Sequence, residues 1–289
     1  MDGLIVKGIG GFYYVKDDYG NVTQCRARGS FKNEGITPCV GDKVRYEILE
    51  DKDGIVEEIY PRKNIFIRPP IANVDLLVIV VSATKPKPNM FIIDRFLVMA
   101  EKSNTDILLC INKVDNAKEK DIESLKDIYG NIYKMVFTSG VSKEGLDELK
   151  DLLKDKKTAF AGPSGVGKST LINALQPGFN LETGAISNKT KRGKHTTRHV
   201  EIFDMDFGGM IYDTPGFTSF DILQADEVEL QLYYPEIVKY KGKCRYDDCM
   251  HLKEPECKVR EALENGEINP SRYNSYKEQI EEIRNKKKY

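Results

Sequence analysis

The residues Gly162-Pro163-Ser164-Gly165-Val166-Gly167-Lys168-Ser169 match the phosphate-loop spacing G-x-x-x-x-G-K-S/T at every fixed position. Glycines let successive backbone N–H groups turn inward around phosphate oxygens. Lys168 adds a cation at the β/γ phosphates, and the Ser169 hydroxyl is a ligand for magnesium. Thr158 to Ala161 reads as a short buried strand. Thr170 to Leu175 reads as the helix whose positive end faces the phosphates. A chance Gly-rich turn lacks that strand-before, helix-after context, so residues 162–170 are the first candidate nucleotide contacts.

Three more short motifs sit at strand ends. Asn112-Lys113-Val114-Asp115 follows the apolar run Ile107 to Ile111, at the carboxyl end of a strand, where open α/β sheets bind ligands. The Asp115 carboxylate can accept from guanine N1–H and the exocyclic amine together, and adenine offers no such pair of donors. Alone, this tetrapeptide would more often be an ordinary loop. Thr138-Ser139-Gly140 is a polar turn after strand Lys134 to Phe137 that can also approach a base. Asp213-Thr214-Pro215-Gly216 follows Met210 to Tyr212. Asp213 can hold magnesium through water there, and the Gly216 N–H can meet a γ-phosphate. Between these motifs, Ile186 to Arg198 carries Lys189, Lys191, Arg192, Lys194, His195, Thr196, Thr197 and Arg198, and reads as a mobile basic loop.

The elements that must position these residues fall into three expected domains: a β-barrel over 1–66, an α/β domain over 67–221 and a mostly helical domain over 222–289. In the first, five alternating segments (Leu4–Val6, Phe12–Val15, Val22–Ala27, Val44–Ile48, Gly54–Ile59) separated by Gly, Asp and Asn turns suggest a small barrel of OB-fold type. Its Arg26, Arg28 and Lys32 are either phosphate contacts for RNA or plain solvated charges. Arg62 to Pro70, with its Pro-Pro pair, reads as a break in regular structure and a domain junction. Val74 to Val81 is a nearly continuous apolar run of the kind buried on both faces in a parallel sheet, with helical spacing over Phe91 to Ala100 and again over Ile122 to Tyr129.

Composition narrows the class. A chain of 289 residues with 40% hydrophobic residues supports two or three packed domains, and 44 basic against 45 acidic residues leave no global field for nucleic acid, so RNA binding would use local patches. No apolar stretch approaches the ~20 residues of a membrane span, and the N-terminus lacks a basic region followed by an apolar run. The expectation is a cytoplasmic protein with no membrane contact, working as a monomer. Cys25, Cys39 and Cys110 read as buried structural thiols.

The other thiols cluster. Cys244, Cys249, His251 and Cys257 give C-x4-C-x-H-x5-C, three thiolates and an imidazole suited to one tetrahedral zinc ion. A closed Cys3His set leaves no open coordination position, so the metal is expected to be structural. The alternative of a disulfide is disfavoured by the odd thiol, the neighbouring His and the expected compartment. Helical spacing follows over Val259 to Leu263 and Tyr273 to Ile283. The Lys286-Lys287-Lys288 tail is either solvated or an RNA contact.

Here the base-reading motif precedes the phosphate loop, so the order of the GTPase elements is permuted. With Arg192-Gly193-Lys194-His195-Thr196-Thr197-Arg198-His199-Val200-Glu201 and the C-terminal cysteines, the chain closely resembles the circularly permuted GTPases that depend on the bacterial small ribosomal subunit. That resemblance covers nearly the whole chain. It implies an OB-fold, a permuted P-loop GTPase domain and a zinc-binding helical domain, with GTP/GDP, magnesium, the small subunit and its rRNA as ligands, and a role late in subunit maturation. Phe217 stands where many GTPases place a water-orienting glutamine, so intrinsic turnover should be slow. Gly165 stands where potassium-activated relatives usually carry asparagine, so potassium dependence is not expected. A subunit that clamps the basic loop would bring Thr196 or Thr197 to the magnesium shared with Ser169 and Asp213, and His195 to the water beside the γ-phosphate. Two other readings compete. One is a P-loop kinase or ATPase, opposed by Asn112 and Asp115. The other is an RNA-binding module with little catalysis, opposed by the presence of Lys168, Ser169 and Asp213.

Overall fold

The structure, a computed structural model, describes residues 1–49, 53–178, 200–213 and 225–286. The strands in chain order begin with β1 (Asp2–Ile9), β2 (Phe12–Lys16), β3 (Val22–Ala27), β4 (Lys43–Ile48), β5 (Gly54–Ile59), β6 (Ile65–Ile67) and β7 (Pro70–Ala72). They continue with β8 (Leu76–Ser82), β9 (Asp106–Asn112), β10 (Lys134–Thr138), β11 (Lys157–Ala161), β12 (Val200–Asp204) and β13 (Met210–Asp213). The helices are α1 (Gly29–Asn33), α2 (Met90–Lys102), α3 (Glu119–Tyr129), α4 (Leu146–Leu153), α5 (Lys168–Leu175), α6 (Pro235–Val238), α7 (Lys258–Glu264) and α8 (Pro270–Lys286). The chain divides into two compact units, one from the described residues of 1–77, 150–160 and 184–218, the other from those of 78–149, 161–183 and 219–289.

The first unit is built on a closed barrel. β1 pairs with β2 and β2 with β3 as antiparallel hairpins, β3 runs parallel to β5, and β5 pairs with β4. β4 returns to β1, with Gly3 opposite Val44. Strand alternation sends one face inward, and Ile5, Val15, Cys25, Val44 and Val56, one from each strand, are fully buried. Closure leaves no free edge, the OB-type solution expected from the five alternating segments. After β5, Arg62 forks onto the buried carboxylate of Asp42 at 2.7 and 2.8 Å and reaches Thr37 O at 2.8 Å, tying the end of the barrel segment to its interior. The Arg62 to Pro70 stretch is therefore not a plain break. It carries β6 and the turn into β7, and Pro70 is tolerated there by standing at the first position of a short strand. The same unit carries β11, β13 and β12 in that order beside β1, with β11 and β13 parallel and β12 antiparallel to β13.

In the second unit the strand order is β10-β9-β8, and β9 and β10 are parallel. Every residue of β8 is buried, as its unbroken apolar run requires. Asn89 caps α2 by accepting from the Ile92 N–H at 3.2 Å. Val98 of α2 shares a core with Leu230, Tyr234, Ile237, Val259, Ile268, Tyr276 and Ile280, so the helical C-terminal segment packs on the α/β part of this unit.

A charged cluster lies beside that core. Arg272 of α8, fully buried, donates to Asp94 of α2 at 2.5 Å and to both oxygens of Glu236 of α6 at 2.7 and 3.3 Å. Its guanidinium lies 4.6 Å from the Tyr234 ring centroid and within 6 Å of Tyr129 and Tyr133. Among the described residues no helix is long and apolar enough to cross a membrane.

Candidate nucleotide site and metal centre

The phosphate loop follows β11 and opens α5, as the spacing requires. Gly162 has φ +138°, and a Cβ there would stand 2.4 Å from Val80 O. Gly167 has φ +97°, and a Cβ there would meet Asn112 Nδ2 at 2.5 Å. At both positions only glycine combines the backbone angle with the close approach. The Lys168 ammonium donates to Gly162 O at 2.7 Å and Pro163 O at 2.8 Å, and burial pushes its pKa down to about 8. Ser164 and Gly165 are exposed, Val166 is buried, and Ser169 and Thr170 are half-buried in the first turn of α5.

The structure joins three motifs that the sequence holds apart. Asn112 is buried. Its Nδ2 donates to Val166 O at 2.9 Å, while its Oδ1 accepts from Gly140 N–H at 3.2 Å and from the Thr138 hydroxyl at 3.4 Å. Lys113, at φ +68°, bends back so that its ammonium donates to Gly165 O at 2.6 Å and Lys85 O at 2.7 Å. The Thr138 hydroxyl also lies 3.2 Å from Cys110 Sγ, and the Ser139 hydroxyl accepts from Val141 and Ser142 N–H at 3.2 and 3.0 Å. Thr138 and Ser139 thus spend their side chains on loop architecture. Val114 is half-buried and Asp115, beside Asn116 and hydrogen-bonded to it, is exposed. Asp213, half-buried at the end of β13, belongs to the first unit. His195, Thr196, Thr197, Gly216 and Phe217 lie outside the described residues, as does the whole basic stretch Lys189 to Arg198.

The metal-ligand set is assembled. The Nδ1 of His251 lies 3.4 Å from Cys249 Sγ, 3.4 Å from Cys257 Sγ and 3.7 Å from Cys244 Sγ. Cys244 and Cys257 sulfurs are 3.9 Å apart, and all four ligand atoms fall within 4.8 Å. Those separations match the edges of a tetrahedron with metal–sulfur bonds of about 2.3 Å and a metal–nitrogen bond of about 2.0 Å. His251 Nε2–H donates to Gln231 Oε1 at 3.1 Å, which directs the free Nδ1 lone pair at the sulfurs. Burial holds the His251 imidazole below its usual pKa, favouring the neutral form that ligates. Burial, with the neighbouring thiols, raises Cys249, so a divalent cation is what would hold it as thiolate. The Glu254 carboxylate gathers the Met250, Leu252 and Lys253 N–H groups at 2.7 to 3.0 Å, and Tyr273 donates to His251 O at 2.6 Å. Gln231, Glu254 and Tyr273 escaped the sequence reading. Only Glu254, inside the Cys/His segment, carried a positional hint.

In the barrel, Arg26 is exposed and lies 4.9 Å over the Phe12 ring, while Arg28 is paired with Glu57 at 3.1 Å. Arg26 remains open to a phosphate, and Arg28 has a protein partner.

A phosphate loop with α5 behind it, tied through Asn112 to an N-K-x-D motif that comes earlier in the chain, defines a P-loop GTPase of circularly permuted order. The family described as RsgA GTPase matches residues 59–223, and RsgA N-terminal domain matches residues 2–56. The chain belongs to the RsgA family. It is 46% identical over 289 residues to the small ribosomal subunit biogenesis GTPase RsgA of Caldanaerobacter subterraneus subsp. tengcongensis, covering 100% of this chain and 97% of that one. It is likewise 46% identical to the protein of that name from Carboxydothermus hydrogenoformans, over 98% of each chain. The solved structure of YjeQ from Thermotoga maritima superposes with a TM-score of 0.85 at 37% identity over 98% of both chains. That of YloQ, described as a circularly permuted GTPase, superposes with 0.82 at 39%, over 99% of this chain and 95% of that one.

Proposed function

We propose that this chain is a magnesium-dependent GTP hydrolase of small ribosomal subunit biogenesis, binding the subunit and its rRNA, assisting late maturation and stimulated by the subunit. It acts as a cytoplasmic monomer. The observation that carries the reading is the Asn112 bridge, because a base-reading motif held against the phosphate loop suits a guanine nucleotide and has no purpose in a kinase. The small ribosomal subunit biogenesis GTPases to which the chain is similar agree with it.

In this reading residues 1–66, 67–221 and 222–289 are the barrel, the GTPase domain and the zinc domain. Asn112 to Asp115 and Thr138–Ser139 form the base pocket, and residues 162–170 cradle the phosphates. Lys168 and the Gly216 N–H meet the γ-phosphate. Ser169, Asp213 and Thr196 or Thr197 hold magnesium, and His195 positions the attacking water. Cys244, Cys249, His251 and Cys257 hold one structural zinc ion, which supplies folding energy and no chemistry. The test is GTP turnover with and without purified small subunits, under competition by ATP. Stimulated, ATP-insensitive turnover is expected. Displacement of GTP by ATP would return the chain to the kinase and ATPase class, and absence of phosphate release would leave an RNA-binding module.

A further inference from the structure

Tyr212 is the residue before Asp213, and its side chain reaches from β13 to the barrel segment. The residue is 1% exposed. Its hydroxyl donates to Ala72 O at 2.6 Å and lies 3.4 Å from Asn73 O, so the strand that ends in the D-T-P-G motif is fastened to the end of β7.

The socket is shaped for that hydroxyl. Gly41, at φ +97°, passes so close that a Cβ there would stand 2.0 Å from Ala72 O and 2.5 Å from the Tyr212 hydroxyl, and only glycine fits. The Gly41 N–H donates to Ile5 O at 2.8 Å, tying the socket to β1, while Gly41 O accepts from Asn73 Nδ2 at 2.9 Å. Asn73 Oδ1 accepts from the Lys63 N–H at 2.8 Å, and the Asn64 side chain bonds both main-chain groups of Val74 at 2.8 and 2.9 Å. A buried polar network with its partners in place holds one geometry, because a displacement strands groups that water does not reach.

A second contact grips the same hairpin. Glu201 of β12 stands opposite Asp213 on one side and opposite Lys7 of β1 on the other. Residues directly opposite share a face, and like charges there repel. The Lys7 ammonium takes the Glu201 carboxylate at 2.7 Å, which offsets that repulsion beside Asp213. The ladder with β11 ends at Tyr212, and from there β12 alone pairs with β13 among the described residues. A side-chain anchor one residue before Asp213 therefore acts where the main-chain support thins.

We propose that Tyr212 is a positioning residue for GTP hydrolysis: its hydroxyl anchors β13 in the socket of Gly41 and Ala72 and so sets where Asp213 offers its carboxylate to magnesium. The proposal rests on the reading of Asp213 as a magnesium-holding residue.

The test compares the affinity for a non-hydrolysable GTP analogue without and with saturating magnesium, alongside kcat and KM for subunit-stimulated turnover. The proteins are the parent, Tyr212→Phe, Asp213→Asn and the barrel-interior truncation Val56→Ala. Phenylalanine keeps the ring and removes the anchor. In Tyr212→Phe the affinity gained from magnesium should fall about tenfold, the lower end of what losing a group that supports a metal ligand costs, with magnesium-free affinity at the parent level. The kcat should fall by roughly the same factor while KM stays within about twofold. Asp213→Asn should lose the magnesium gain, and Val56→Ala should lower the unfolding midpoint without moving either quantity. Tyr212→Phe with the parent's magnesium gain and kcat, beside an Asp213→Asn protein that has lost both, overturns the anchor. Equal shifts in Tyr212→Phe and Val56→Ala overturn it as well, by reducing it to stability. An Asp213→Asn protein with an undiminished magnesium gain sinks the magnesium assignment itself, and the anchor with it.

Discussion

The amide nitrogen of Asn112 donates to the main-chain oxygen of Val166 at 2.9 Å across 54 positions of sequence. Its carbonyl oxygen at the same time takes the Gly140 N–H. One buried side chain therefore sets the distance between the N-K-x-D and Thr138–Gly140 loops and the phosphate loop. Permutation is harmless to such a site because the contact depends on the strand ends meeting and not on the order in which the chain visits them.

Asp115 and Asn112 should separate in their effects. Asp115→Asn is expected to weaken GTP binding at least about tenfold, the scale of a lost hydrogen bond to a charged group, and to improve xanthine nucleotide binding, whose edge presents an acceptor. Asn112→Ala should weaken every nucleotide, purine base regardless, and lower stability by about 1–3 kcal/mol through the stranded Val166 and Gly140 groups. Nucleotide titration and denaturant unfolding of the two variants check this.

Lys168 should make nucleotide affinity depend on pH. Burial among carbonyls leaves its pKa at about 8, and a bound phosphate raises it, so the protonated form binds better. Affinity is then full about a unit or more below pH 8 and falls as pH rises through it, by roughly fivefold between pH 8 and pH 9, as the protonated fraction of the free protein drops from about one half to about one eleventh. GDP titrations across that window should show the fall in the parent and none in Lys168→Met.

The metal centre should account for the C-terminal fold. One zinc ion per chain is expected in protein purified without chelator. Cys249→Ser should lose the metal and helicity together, because so small a helical segment is poorly stabilised by its core alone. Gln231→Ala should keep the fold in saturating zinc but bind the metal about 10–100-fold more weakly, as is usual when the group orienting a ligating imidazole is removed. Metal analysis and competition with a chromophoric chelator read both.

Arg272 should be costly to remove alone. Arg272→Met leaves the carboxylates of Asp94 and Glu236 buried without their cation, an arrangement worth about 3–5 kcal/mol of destabilisation. The triple variant Arg272→Met, Asp94→Leu, Glu236→Leu should recover most of that loss. Urea unfolding midpoints of the single and triple variants decide it, and a triple variant no better than the single would show that packing, not charge, governs the cluster.

His195→Ala should reduce subunit-stimulated turnover at least tenfold, since positioning and acid–base roles are typically worth ~10²–10⁴-fold, with GTP affinity and subunit binding nearly intact. An equal loss of subunit binding would place His195 in the RNA interface, and unchanged turnover would remove it from the chemistry.

The phosphate-loop and Cys/His patterns were readable because the chemistry they are suited to is local. Consecutive N–H groups around Gly162 to Ser169, and four ligands between Cys244 and Cys257, need only the right types at the right spacing, which the chain alone determines. The same holds for the barrel strands, whose alternation marks Ile5, Val15, Cys25, Val44 and Val56 as its interior. Tertiary structure decided whatever depends on a distant partner. Glycine at 167 is required by Asn112 as much as by its own φ, Gln231 orients an imidazole 20 positions further on, and Thr138 and Ser139 serve their loop. Helical spacing from Tyr273 to Ile283 identified α8 but said nothing of Arg272, because a cation is buried only where carboxylates such as Asp94, 178 positions away, and Glu236 await it. Spacing along the chain governs the geometry of neighbours, while the stability of a buried polar group is governed by groups that only folding brings within reach.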